Sequence, residues 1–393
     1  MNSRSSLIEG SIGPTLLRFT LPILAGNVLQ SLNGSVNSIW VGRFLGEAAL
    51  TGTSNANTVM YLLIGAGAGI AMAATILVAQ RIGGRDLFEA KRVIGTGTTF
   101  FAAVSVVIST IGLLLAKPLL HAMRTPPQSM EMAVAYLRVI FIAMPFLYGY
   151  AFLMSVLRGA GDSRTPFRFM LLSVAIDIAL NPLFIFGLGP LPPLGVAGSA
   201  CATLVAQAVS LIALISHLYR KKHVLCLHAG EIALLRVDWR IARTLLFRGI
   251  PMGSQLLIFS LSGVLMISLV NRFGVDLAAA YGGALQLWNY LQMPAVAVGM
   301  AVTSMAAQNV GAGHWERVHA VARIGLLYGV GFTGVIALVL EVLNVRAFGL
   351  FLPVGSAALG LVSHINRIAT GSWVILSVNA EVKLDHLLSS PPK

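Results

Sequence analysis

Asp177 is a carboxylate inside an apolar run. The stretch Ser173 to Thr203, SVAIDIALNPLFIFGLGPLPPLGVAGSACAT, reads as two membrane-spanning helices joined by a Gly/Pro turn. An ionised carboxylate in hydrocarbon costs at least ~2.5 kcal/mol on insertion scales, so an acid kept there faces a cavity or a partner. Asn181 follows one helical turn later, on the same face. Pro182 comes next and removes a backbone donor, which loosens the helix beside the pair. Across the turn, Thr203 presents a hydroxyl to the same interior. A proton or cation site in a transporter has this make-up. A structural polar cluster, neutralised by protonation and hydrogen bonds, has it too.

Amides and aromatics form a second group. Asn27, Gln30, Asn33 and Asn37 share one narrow face of the first apolar run, and Gln286, Asn289 and Gln292 share one face of the eighth. Amides are costly against lipid, so both stripes are expected to face the interior, as interhelical glue or as cavity lining. The candidates for a substrate cavity are Gln30, Asn33, Asn57, Tyr61, Tyr148, Gln286, Asn289 and Tyr290. Rings at such a surface add ~0.5–2 kcal/mol per cation–π contact, although packing between helices accounts for them equally well.

The elements that must position these residues are long and apolar. Hydrophobic residues make up 56% of the 393, charged ones only 10%, and the mean hydropathy is +0.83. A soluble domain carries about 25% charge, so the chain is read as an all-α polytopic membrane protein. A span needs about 20 mostly apolar residues. That rule places helices near 14–36, 52–78, 94–116, 134–157, 167–188, 195–217, 248–271, 279–305, 321–345 and 363–379. The second and eighth are interrupted by Gly or Pro and are expected to bend. The first run is long enough to stay in the membrane as a signal anchor.

Charge sets a sense of insertion. With the N-terminus cytoplasmic, eighteen Lys and Arg fall on the cytoplasmic side, among them Arg81, Arg85, Lys91, Arg158 and Arg164, against six on the other. The positive-inside rule favours that orientation. The net charge of +13 is therefore read as topology, and no nucleic-acid partner is expected. The longest connection, Tyr219 to Phe247, holds Arg236, Arg240 and Arg243 among apolar neighbours. It reads as an interfacial helix on an anionic leaflet or as a solvated linker.

The two halves repeat at an offset of 228 or 229 residues. Leu16-Leu17-Arg18-Phe19-Thr20-Leu21-Pro22 returns as Leu245-Leu246-Phe247-Arg248-Gly249-Ile250-Pro251, and Ala79-Gln80-Arg81-Ile82-Gly83 as Ala307-Gln308-Asn309-Val310-Gly311. Parallel repeats imply two lobes about a pseudo-twofold axis along the membrane normal, with a cavity between them. The division expected is an N-terminal six-helix lobe over 1–218, a cytoplasmic linker over 219–247, an incomplete C-terminal lobe over 248–379 and an aberrant tail over 380–393.

These residues resemble the multidrug and toxic compound extrusion (MATE) transporters. The carriers are Pro22, Val41-Gly42-Arg43, Ala79 to Gly83, Arg158-Gly159-Ala160-Gly161-Asp162-Ser163-Arg164-Thr165-Pro166, Asn181-Pro182 and Gly198 to Thr203. The resemblance implies twelve helices in two six-helix lobes, exporting organic cations and other amphiphiles against inward H⁺ or Na⁺. It implies an acid near the outer end of the first helix, where this chain has Asn37, and Asn then Asp in the fifth, where the order here is Asp177 then Asn181. The coupling set is thus read as Asp177, Asn181, Asn37 and Thr203. The Glu of helix seven that one branch uses has no counterpart between Gly249 and Val270, which favours H⁺ coupling in the first lobe. About nine or ten of the twelve helices are expected, and a C-terminal truncation accounts for the charges that enter after Ser377.

No enzyme chemistry is expected. The Gly65 to Gly69 run lacks the Lys of a phosphate-binding loop and sits in a span. The eight histidines lack metal-ligand spacing, and no cofactor is expected. The expected partners are small amphiphilic substrates, H⁺ or Na⁺ and the bilayer, with the protein a monomer in the inner (plasma) membrane. Two other readings stand beside the antiporter. A lipid-linked saccharide flippase of related design would want cationic residues mid-span, which are missing, and the truncation leaves an inactive remnant open.

Overall fold

The structure, a computed structural model, describes residues 7–187 and 192–348. The helices among them are α1 (Ile12–Leu45), α2 (Glu47–Gly83), α3 (Leu87–Ala122), α4 (Pro127–Gly159), α5 (Arg164–Phe186), α6 (Val196–Arg220), α7 (Trp239–Val270), α8 (Val275–Gly311) and α9 (Trp315–Phe348). Eight of the described helices carry a stretch long and apolar enough to cross a membrane. The expected tenth helix and the tail lie outside the described residues.

Each of the nine earlier sequence-read spans corresponds to one helix: six fall wholly within it, and 167–188, 195–217 and 248–271 pass one end of α5, α6 and α7 by one or two residues, while most of the helices overrun their span. Hydropathy sees only the hydrocarbon layer, whereas a helix continues wherever its ends are satisfied. At α3 the Asp86 carboxylate accepts from the Glu89 N–H at 3.0 Å, so the helix starts seven residues before the apolar run read from 94. The two helices expected to bend run unbroken as α2 and α8, the Gly65 to Gly69 run and Pro294 included. The basic stretch of the linker is not a separate interfacial helix. Ala229–Leu235 is a 3-10 turn, Arg236 is extended, and Arg240 and Arg243 lie in the first turns of α7.

That linker is fastened to α3. Lys91 Nζ donates to both oxygens of Glu231 at 2.8 Å, and Arg92 reaches Asp238 at 2.5 Å. The Thr99 hydroxyl donates to the Leu235 carbonyl at 2.6 Å, and the Asp238 N–H to the Thr96 hydroxyl at 3.3 Å. Gly95 leaves room for the Leu234 backbone, which a Cβ would strike.

The chain forms two compact units, one holding Ala25–Leu257, the other Ser6–Leu24 with Ile258 onward. The core of the first unit runs through α2, α3 and α4, with Val78, Phe101, Leu137, Phe141 and Phe152 nearly or wholly buried. Leu245, at 0% exposure in α7, belongs to that core, and Gly249 lies against the Ile70 backbone of α2. In the second unit, Leu16, Phe19 and Ile23 of α1 pack with Ala297, Ala301 and Met305 of α8 and Val321 of α9. The first half of α1 and the first half of α7 therefore each lodge with the other sequence half. These are the segments that carry the Leu16–Pro22 and Leu245–Pro251 repeat.

Candidate coupling site

Thr203 is brought opposite Asp177 by a tight hairpin between α5 and α6. The N–H groups of Leu194 and Gly195 donate to the carbonyls of Phe184 and Ile185 at 3.1 and 3.2 Å. Gly195 takes a φ of +55°, a left-handed conformation that glycine adopts freely. At Gly198 a Cβ would sit 2.5 Å from the Phe184 carbonyl oxygen. The glycines thus set the distance between the two helices, and the side chains two turns further in meet across it.

Asp177 is 2% exposed and Asn181 0%. The Asp177 carboxylate accepts from three neutral side chains: Asn33 Nδ2 at 2.7 Å, Asn37 Nδ2 at 2.8 Å and Thr203 Oγ1 at 3.1 Å. Asn33 and Asn37 stand one turn apart on α1, so both amides face α5. Asn181 Nδ2 donates to Asn37 Oδ1 at 2.9 Å and to the Asp177 backbone carbonyl at 3.0 Å. Pro182 gives no N–H to the turn beneath it. Among the described residues no Lys or Arg pairs with Asp177. The amide oxygens of Asn33 and Asn181 are buried and have no hydrogen-bond partner on the protein.

This arrangement solvates a carboxylate without a counter-ion. Three donors satisfy the ionised form. A half-turn of the Asn33 amide exchanges its NH₂ for its oxygen, which then accepts from a protonated carboxyl. The same residues thus serve both charge states, the property wanted of a group that exchanges protons. No three His, Cys, Asp or Glu side chains gather in a metal-binding group among the described residues.

The coupling set read from the sequence comes together in one network: Asp177, Asn181, Asn37 and Thr203. Asn33, read there as cavity lining, is part of it. The other cavity candidates stand apart from it. Gln30 is exposed on α1, and Tyr61 is 63% exposed on α2. Asn57 accepts from the Tyr136 hydroxyl at 3.1 Å. Tyr148 is buried and donates to the Leu63 carbonyl at 2.6 Å, which ties α4 to α2. In the second unit Asn289 is exposed and Tyr290 half-buried, and the side chain of Gln286 lies outside the described set. Sequence reading missed Ser173 and Gln207, whose side chains join at 3.2 Å one turn below the Asp177–Thr203 pair. Their signal was available: Ser173 is four residues before Asp177, and Gln207 four after Thr203.

Comparison with known proteins gives the setting. The model of the MatE family matches residues 22–183 and 251–380. "Probable multidrug resistance protein YoeA" of Bacillus subtilis (strain 168) is 35% identical over 342 residues, 87% of this chain and 74% of the relative. "Probable multidrug resistance protein YpnP" of the same organism is 30% identical over 311 residues, 79% of this chain and 68% of the relative. A solved structure described as the "Outward-facing conformation of a multidrug resistance MATE family transporter of the MOP superfamily" superposes with a TM-score of 0.83 at 22% identity, covering 95% of this chain and 83% of that one. The helices, the repeat and the family model agree: the chain belongs to the MatE family of multi-pass membrane transporters.

Proposed function

We propose that the protein is a secondary active antiporter that exports amphiphilic, often cationic compounds against an inward proton gradient, with Asp177 as the coupling group. The observation that carries this is a buried carboxylate held by three neutral donors and by no cation. A carboxylate fixed by Lys or Arg is locked in its charged form, whereas one held by amides and a hydroxyl can change charge in place. H⁺ is favoured over Na⁺ because the same side chains can serve both the ionised and the protonated carboxyl. The multidrug resistance assigned to the two Bacillus relatives supports the substrate class. The excess of Lys and Arg supports an inner-membrane protein with a cytoplasmic N-terminus.

In the protonated state Asp177 bonds within the α1–α5–α6 cluster. On ionising it draws in water or a cationic substrate. Coupling requires only that proton and substrate favour different states of the same unit. Asp177→Asn mimics the protonated form permanently. In proteoliposomes it is expected to abolish drug flux driven by a pH gradient while the protein stays monodisperse. Export at the wild-type rate, with the same dependence on the gradient, would make Asp177 structural.

A further inference from the structure

Below Asp177, α5 and α6 carry a ladder of polar side chains toward the end of the unit marked by Arg164 and Arg220. On α5 the rungs are Asn181, Asp177 and Ser173, each one turn from the next. On α6 they are Thr203, Gln207, Ser210 and His217. Two rungs are closed by direct bonds, Thr203 to Asp177 at 3.1 Å and Gln207 to Ser173 at 3.2 Å. The next polar atoms are buried and lack a partner on the protein: Gln207 Oε1, Ser210 Oγ at 0% exposure and the Tyr150 hydroxyl, its residue 7% exposed. Tyr150 of α4 packs with Leu211 and Leu214 of α6 and Phe169 of α5. That cluster, with Leu214 fully buried in it, fills the two turns between Ser210 and His217. The His217 ring stands edge-on to Phe169, with centroids 5.3 Å apart, near the end of α6.

Three orphaned polar atoms in one buried row are unusual, because nearly all such groups in folded proteins are paired. Helix positions three or four apart lie about 5–6 Å from each other. One water with a bond of about 2.8 Å on each side spans that gap. A buried water is held where two to four polar partners surround it, and Ser173, Gln207 and Ser210 supply them between Asp177 and the turn of Leu214. We infer that Ser173, Gln207, Ser210 and Tyr150 hold a file of water that carries the proton between Asp177 and the membrane face beside His217. The inference rests on Asp177 being the coupling group. In each transfer an O–H bond breaks on one oxygen and forms on the next. The proton leaves the Asp177 carboxyl, which becomes carboxylate, and the relay groups end as they began. His217 stands near the end of α6, where the proton meets solvent. The route lies wholly inside one unit.

The test follows Asp177 itself. In the full chain, the carbonyl stretch of the protonated carboxyl is followed by infrared spectroscopy after a pH jump. Asp177→Asn should remove the band. Tyr150→Phe, Ser210→Ala and Gln207→Leu should leave its equilibrium titration in place but slow its appearance about tenfold or more. Ser210→Thr should restore the rate, which a purely packing role does not predict. The same variants should slow proton-driven drug exchange in proteoliposomes by a similar factor without weakening drug binding. If all three variants protonate Asp177 within about twofold of the wild-type rate, the ladder is structural and the inference fails, while the loss in Asp177→Asn still upholds the coupling role. A band that survives Asp177→Asn overturns both.

Discussion

At the scale of single residues, the candidate coupling site is a matter of which amides reach one carboxylate. Asn37 holds two bonds of the network, giving to Asp177 and receiving from Asn181, whereas Asn33 holds one. Removing one partner of a buried polar group costs ~1–3 kcal/mol per group left unpaired. Asn37→Leu is therefore expected to destabilise the protein more than Asn33→Leu, and a thermal shift in detergent gives the order. Equal shifts would mean that the Asn181 link contributes nothing. Much of this site was legible beforehand, because an acid, an amide one turn on and a proline can be read at their spacing. Asn33 was grouped with the cavity lining, and in the structure its amide joins the Asp177 network. It shares a face with Asn37, but spacing within one helix does not say which neighbour that face meets.

At the scale of elements, the hydropathy of the chain gave the helices and missed their ends. Ends are decided by local groups such as the Asp86 cap and by the docking of the linker, which no apolar count reveals. The linker, read as an interfacial helix or as a solvated connection, is instead docked: its acids, Glu231 and Asp238, bind Lys91 and Arg92 of α3. The bonds from Lys91, with the His228 N–H, hold the Glu231 carboxyl at about 2, below an ordinary 4.5. A carboxylate with a depressed native value stabilises the docked state fully above its free value. That contribution is lost as pH falls from 4.5 toward 2. The expected outcome is that hydrogen-exchange protection of Ala229–Leu235, corrected for the intrinsic rate, holds at pH 6 and drops near pH 3. In Glu231→Gln it should be low at both. Protection independent of pH in the native protein would show that the carboxylate does not hold the linker.

At the scale of the whole molecule, the sequence repeat implies halves that enter the membrane in the same sense, and the positive-inside rule implies a sense of insertion. If the Arg85 turn is cytoplasmic, a single Cys at that position in a cysteine-free background should resist membrane-impermeant thiol reagents added to intact cells. Ready labelling would reverse the orientation. What the repeat did not disclose is the partition of its own first motif. The sequence suggested that each half folds by itself, with the break in the linker. In the structure the segment around Leu16 is core to the second unit and the segment around Leu245 core to the first. Both side chains are fully buried apolar residues at matched positions, so hydropathy alone cannot tell which unit receives them.

The exchange makes a prediction that the linear reading would get backwards. Truncating a buried Leu to Ala costs ~2–5 kcal/mol and loosens what packs around the cavity. Leu245 touches the core built from α2, α3 and α4, and Leu16 the core built from α8 and α9. Leu245→Ala should therefore raise hydrogen exchange in α2, α3 and α4 and leave α8 and α9 near wild type, although residue 245 lies in the second half of the chain. Leu16→Ala should do the reverse. The two effects share no packing partner, so in the double variant they should add. Exchange that rises in α8 and α9 for Leu245→Ala would return that segment to its own half of the sequence. It would also make the repeat a simple tandem of two independently packed bundles.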